Sequence, residues 1–176
     1  MNQVASRMSF SLPKLVVFDL DFTLWDCGGT WCDCLTPPFS LIDGETRDRG
    51  GRRIVLYPDV TQILDWCDEH QLPMALASRT EQPAWAKELL VRLKISHRFK
   101  QAEIYPSSKL RHFAAIRDAM KLDDADMIFF DDEMRNIREV GDAGIRSVLV
   151  RNGLSLSLFH AALDRHSRCA VESNEG

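Results

Sequence analysis

Four short stretches of the chain hold side chains able to do chemistry. They are Asp19-Leu20-Asp21 with Thr23, Ser78-Arg79-Thr80, Lys109 behind the turn Tyr105-Pro106-Ser107-Ser108, and Asp131-Asp132-Glu133. Each follows an apolar run or opens a helical pattern. At a strand's period of two, Asp19 and Asp21 point to the same side. Carboxylates crowded in this way repel one another unless a cation sits among them. Oxygen donors without His or Cys suit Mg²⁺, a hard ion that takes few carboxylates and keeps its waters. Mg²⁺ in turn suits a phosphate group, with Ser78 able to hydrogen-bond a phosphoryl oxygen and Lys109 able to supply a point charge. Taken singly, each stretch has a plainer explanation. The acids could cap helices or complement a helix dipole, Ser-Arg-Thr could be an N-cap, and a lone Lys is usually a solvated charge. What argues for a site is the set in this order, each member at a strand end or a helix start.

The elements that would carry these groups are legible from the pattern. KLVVFDL, 14–20, reads as a buried strand. A Gly-, Pro- and Cys-rich excursion follows, with turn signals at Asp43-Gly44 and Gly50-Gly51 and a strand-like IVLY. It predicts a small β-hairpin inserted at about 26–56. Pro58 is placed to open a helix with Val60, Ile63, Leu64 and Cys67 on one stripe. MALASR, 74–79, is a second strand, and 83–94 a helix with Trp85, Leu89 and Leu93 inward. FKQAEIY holds a short strand, and 108–121 a helix with Phe113, Ile116 and Met120 inward. MIFFDD is a strand running into acid, Ile137 and Val140 mark a short helix, SVLVR is a last strand and 155–166 a last helix. Strand and helix alternate with short connections. That predicts a doubly wound, Rossmann-like α/β fold with a mostly parallel sheet, whose ligands bind beyond the carboxyl ends of the strands.

Length and composition agree with one domain. The chain has 176 residues, 45% hydrophobic and 27% charged, which excludes disorder and coiled coil as global descriptions. The expected organisation is a tail at 1–13, a single domain at 14–166 and a second tail at 167–176. A formal net charge of −4 gives no basic field for a phosphate backbone, so nucleic acid is not an expected partner. No apolar run approaches the ~18 residues of a membrane span, and the polar start has no secretory h-region. A cytoplasmic monomer is expected. Five cysteines, Cys27, Cys32, Cys34, Cys67 and Cys169, lack zinc-site spacing and read as reduced thiols, three of them in the insert. Trp25 and Trp31 read either as core packing and loop shielding or as contacts at the edge of a site.

VVFDLDFTLW, ASRT, Lys109 and FFDDE together resemble the four ordered motifs of the haloacid dehalogenase superfamily. Within it, VFDLDFTLW, DRGGRRIVLYPDV, LASRT, EIYPSSK and FFDDEMRNI resemble the small magnesium-dependent phosphatase 1 family, from Lys14 to about Arg151. The resemblance implies a Mg²⁺-dependent phosphomonoesterase acting through an aspartyl-phosphate, on phosphotyrosine-type or sugar-phosphate substrates. It implies Asp19 as nucleophile and Asp21 as acid and base. Asp19, the backbone carbonyl of Asp21, and Asp132 would hold Mg²⁺. Ser78 and Lys109 would clamp the phosphoryl group, helped by the backbone of Leu20 and by Arg79. Asp131 and Asn136 would support the acidic cluster, the sequence leaving open which of Asp131 and Asp132 touches the metal. The family's turn before the Lys usually reads Gly-Ser-Lys. Here it reads Ser-Ser-Lys, so a turn at positive φ would strain Ser107. The short insert implies an open cleft that admits bulky substrates. A receiver-type signalling domain shares the fold and the residue types, but it carries adjacent acids at its first strand and its Lys late, the reverse of the order here. A non-catalytic phosphate-binding protein would be expected to lack one of Asp19 and Asp21.

Overall fold

The computed structural model describes residues 12–172, with side chains to residue 166. The tail expected at 1–13 therefore lies almost wholly outside the described residues. Five parallel strands form the main sheet: β1 (Leu15–Phe18), β6 (Met74–Ser78), β7 (Gln101–Ile104), β8 (Met127–Asp131) and β9 (Arg146–Leu149), in the order β7-β6-β1-β8-β9. β1 is central, with Val17 beside Ala75 of β6 and Phe129 of β8. Every residue of β1, β6 and β8 is buried. This explains their near-continuous apolar sequences, since parallel sheets are covered on both faces.

Helices α1 (Val60–Glu69), α2 (Pro83–Arg92), α3 (Lys109–Met120), α4 (Met134–Asp142) and α5 (Leu156–Glu172) follow the strands. Two apolar clusters lie on opposite sheet faces. One joins Val16 and Phe18 to α1, α2 and Phe159 of α5, and the other joins Leu15 and Val17 to Phe113 and Ile116 of α3 and Val140 of α4. Alternate residues of β1 serve the two faces, as strand geometry requires. In α1 the predicted stripe of Val60, Ile63, Leu64 and Cys67 is the buried one. In α2 the fully buried residues are Ala86, Leu89 and Leu90, and Trp85 and Leu93 pack partly at the margin. The last helix outruns its expected end at 166 and continues to Glu172, into the segment expected as a tail.

The insert is larger than one hairpin. β3 (Ser40–Ile42) and β4 (Glu45–Arg47) form the expected hairpin, turning at Asp43 (φ 51°) and Gly44 (φ 80°). Two positive φ values in a two-residue loop are what an Asp-Gly hairpin turn supplies. β5 (Arg53–Leu56) then pairs with β4, and β2 (Trp25–Asp26) pairs with β5, giving an antiparallel sheet in the order β2-β5-β4-β3. No helix among the described residues is long and apolar enough to cross a membrane.

Candidate active site

The loops after β1, β6 and β8 meet at the carboxyl edge of the sheet, because β6 and β8 flank β1 there. They enclose a cleft of about 340 Å³. Asp19, Asp21, Ser78, Arg79, Lys109, Asp132 and Asn136 all line it. β1 ends at Phe18, so Asp21 reaches the cleft through a tight turn and not by strand alternation. The carbonyl of Leu20 accepts the N–H groups of Thr23, Leu24 and Trp25 at 3.2, 2.9 and 3.2 Å, and Phe22 takes a positive φ of 57°. The Leu20 side chain is in the core, which leaves its backbone as the part at the site.

Lys109 is wholly buried at the start of α3. Its Nζ donates to Asp19 Oδ1 at 2.7 Å and to the carbonyl of Ala77, and lies 3.0 Å from Asp131 Oδ2. Burial pulls the ammonium down, but the two carboxylates more than offset it and hold its pKa above the ordinary value. Ser107 is not at positive φ, contrary to the strain a glycine-type turn would impose. Ser108 instead caps α3 in extended backbone, accepting from Arg111 N at 3.3 Å, and sets Lys109 without strain.

Asp131 and Asp132 occupy different places although adjacent. Asp131 is fully buried behind the cleft, and its oxygens accept from Glu133 N at 2.7 Å and from Asn136 Nδ2 at 3.1 and 3.0 Å, besides facing Lys109. Asn136 Oδ1 accepts in turn from Arg79 Nη1 at 3.2 Å. Asp132 is half-buried on the cleft wall. Burial, with Asp131 and Glu133 adding like charge, pushes its carboxyl up to about 7. Burial likewise pushes Asp19 well above its ordinary range, against the pull of Lys109. Donor atoms of Asp19, Asp131 and Asp132 lie within 4.8 Å of one another. An all-oxygen set with this much like charge fits a hard divalent cation.

Asp21 is held by the insert. Its Oδ1 accepts from Trp25 Nε1 at 2.6 Å and from the Cys27 thiol at 3.6 Å, and the N–H of Cys32 lies 3.1 Å from both its oxygens. Burial raises its pKa, opposed by these donors. Trp25 is thus a core residue whose indole N–H also fixes an acid. Trp31 is about half exposed (54%) on the cleft rim, edge-on to Phe22. The thiols of Cys27 and Cys32 are both buried, that of Cys27 on Asp21 and that of Cys32 beside Thr80, and are not loop surface. Burial and the nearby carboxylates push Cys32 up to about 12 and Cys27 higher still, which keeps both as thiols. Cys169 lies outside the residues whose side chains are described.

Sequence reasoning missed Asp33, Glu81 and Arg135, which also line the cleft. Arg135 Nε donates to Glu133 Oε2 at 2.5 Å. The side chain of Asp33 accepts from Thr80 Oγ1 and from Glu81 N, at 3.1 Å for the latter. No periodicity marks an irregular turn, so nothing in the sequence placed it against a residue 47 positions away.

A parallel sheet whose central strand is followed by Asp-x-Asp, with a Ser, a buried Lys and an acid pair from three flanking segments, is the layout of a haloacid dehalogenase-like hydrolase. Residues 11–168 match the family model described as Acid Phosphatase. The chain is 39% identical over 159 residues to Magnesium-dependent phosphatase 1 of Homo sapiens, covering 89% of each. It is 36% identical over 166 residues to a HAD-like hydrolase superfamily protein of Schizosaccharomyces pombe, covering 86% of this chain and 94% of that one. Among solved structures it resembles the N-terminal part of a Bacteroides fragilis protein, containing a phosphatase domain complexed with Mg. There the TM-score is 0.56 at 17% identity, over 78% of this chain and 36% of that one. The chain belongs to the acid phosphatase family of HAD-like hydrolases.

Proposed function

We propose that the protein is a Mg²⁺-dependent phosphomonoesterase that works through an aspartyl-phosphate on Asp19, with phosphotyrosine-type or sugar-phosphate esters as substrates. The observation that carries this reading is the Asp19 carboxylate. It sits on the cleft with Oδ1 held by a buried Lys109 and with two further carboxylates beside it. Asp19 and Asp132, with the backbone carbonyl of Asp21, would hold Mg²⁺, and Asp131 would support them from behind. The bound ion would neutralise charge on the phosphoryl oxygens and on the carboxylates that face them.

The chain's own residues account for the rest. Ser78, Lys109, the Leu20 backbone and Arg79 orient the phosphoryl group against Asp19. An Asp19 oxygen attacks phosphorus as the bond to the leaving oxygen breaks, and Asp21 gives that oxygen its proton. Asp21, now a carboxylate, takes a proton from water, which attacks the acyl phosphate and returns Asp19 and inorganic phosphate. A pKa raised by burial suits Asp21 to arrive protonated. Magnesium dependence and phosphatase activity in the human relative's name support the same reading.

The test is hydrolysis of p-nitrophenyl phosphate, phosphotyrosine peptides and sugar 6-phosphates, with Mg²⁺ and in excess EDTA. Turnover that depends on Mg²⁺ and is abolished in Asp19→Asn is expected. Full turnover in EDTA, or in Asp19→Asn, would overturn the reading.

A further inference from the structure

One short turn of the insert touches both halves of the cleft. The turn Cys32–Cys34 presents the N–H of Cys32 to both oxygens of Asp21 at 3.1 Å. The next side chain, Asp33, accepts the hydroxyl of Thr80 and the N–H of Glu81, at 3.1 and 3.3 Å for the latter. Thr80 Oγ1 also accepts from Gln82 N at 3.0 Å, and Thr80 N lies 3.5 Å from Ser78 Oγ. Two consecutive residues therefore link the carboxylate of Asp21 to the loop that carries Ser78 and Arg79.

From this geometry, and resting on the reading of Asp21 as acid and base, we propose that Asp33 is a positioning residue. By tying the insert to the loop after β6 it holds the Cys32 N–H against Asp21, and so fixes the proton donor relative to the phosphoryl clamp. The insert packs on the main domain through Cys32, Leu35, Phe39 and Ile54, and within the insert Arg52 Nη1 holds the carbonyl of Cys34 at 2.5 Å. The Asp33 carboxylate reaches from that turn to the loop after β6, where the Cys32 thiol also meets Thr80. The Asp33 contacts are charge-assisted, the stronger class of hydrogen bond, with one carboxylate oxygen serving both donors. Misplacing a reacting group by about 1 Å costs on the order of 10² in rate.

The proposal separates Asp33 from a residue that merely supports folding, because leaving groups differ in their need for acid. p-Nitrophenolate departs with little proton assistance, whereas an alkoxide needs it. The experiment compares kcat/KM for p-nitrophenyl phosphate and for a primary alkyl phosphate in wild type, Asp33→Ala and Asp33→Asn with Mg²⁺ present. It also follows amide exchange at Cys32 without substrate. In Asp33→Ala the alkyl ester is expected to lose roughly tenfold or more beyond the loss with the nitrophenyl ester. The Cys32 amide is expected to exchange about tenfold faster. Asp33→Asn keeps the oxygen that serves both donors and should restore most of both readouts. Equal losses on the two esters, or an unchanged Cys32 exchange rate in Asp33→Ala, would overturn the role of Asp33. Wild type that hydrolyses neither ester would instead overturn the phosphatase reading, and the exchange measurement would still decide whether Asp33 anchors the turn.

Discussion

Lys109→Met removes a buried ammonium and leaves its stem nearly intact. In the wild type, Nζ stands 2.7 Å from Asp19 and 3.0 Å from Asp131 and donates to the Ala77 carbonyl. The variant keeps both carboxylates in place without their cation. Their oxygens lie within 4.8 Å of each other, and at an effective dielectric of about 20 two unit charges so placed repel by roughly 3 kcal/mol. Deleting one partner of a buried ion pair costs about 3–5 kcal/mol, the same scale and a large share of a domain's total of about 5–15 kcal/mol. The site has two ways to recover: a carboxyl can take up a proton, or a divalent cation can bind. Urea unfolding in EDTA at pH 7 should therefore show a loss of about 3–5 kcal/mol, narrowing toward pH 5. Excess Mg²⁺ should stabilise the variant more than the wild type, by an amount set by its affinity and about 2.7 kcal/mol at a hundred times Kd. Turnover should fall by about 10²–10³ even where folding is restored. A variant as stable as wild type in EDTA, and no more responsive to Mg²⁺, would refute the claim that Lys109 holds these carboxylates together.

Asp21→Asn should release at most about one p-nitrophenol per site and then stall, because nitrophenolate needs little acid while water still needs a base. Steady turnover in a rapid-quench experiment would contradict that role. His112 is fully buried, and its Nδ1 has no hydrogen-bond partner among the described residues. Burial lowers its pKa to about 4, so between pH 6.5 and pH 4 the unfolded chain takes a proton that the folded one refuses. Stability should fall by roughly 3 kcal/mol across that window, and His112→Gln should lose correspondingly less between pH 7 and pH 4.5 in urea titrations. Gly153 has φ 83°, and a Cβ there would stand 2.2 Å from the Tyr57 ring. Gly153→Ala should lower the melting temperature through both strain and clash, and adding Tyr57→Ala should recover the part due to the clash.

The sheet and the residues gathered at its edge could be read from the sequence for a single reason. A buried parallel strand must be apolar throughout, so the first polar residues after VVF, ALA and IFF mark the edge where ligands bind. Lys109 was legible as a helix start, but not as a fully buried cation, because nothing local shows that Asp19 and Asp131 will enclose it. The insert was the least legible part. Asp43-Gly44 announced one hairpin through its turn chemistry, whereas the pairing of β2 with β5 joins residues thirty positions apart across irregular chain. The hold of Trp25, Cys27 and Cys32 on Asp21, and the reach of Asp33 to Thr80, have the same character. They span from 4 residues, for Trp25 on Asp21, to 47, for Asp33 on Thr80, at irregular spacings that leave no period to count.

The position of β1 also bears on how the molecule is made. It is the first strand among the described residues, yet it lies at the middle of the sheet and pairs with Met74–Ser78 on one side and Met127–Asp131 on the other. During synthesis from the N-terminus, an apolar strand of four residues must stay unpaired until residue 78 has emerged. It gains its second neighbour only when residue 131 is available. Parallel pairings at such separation are slow, since loop closure precedes any reward from contact. The exposed LVVF segment is then open to association with other chains or with chaperones. The carboxyl edge of the sheet can close only once residue 131 is available, so termination before β8 would yield chains that lack both a complete sheet and the acids that β8 and its loop carry.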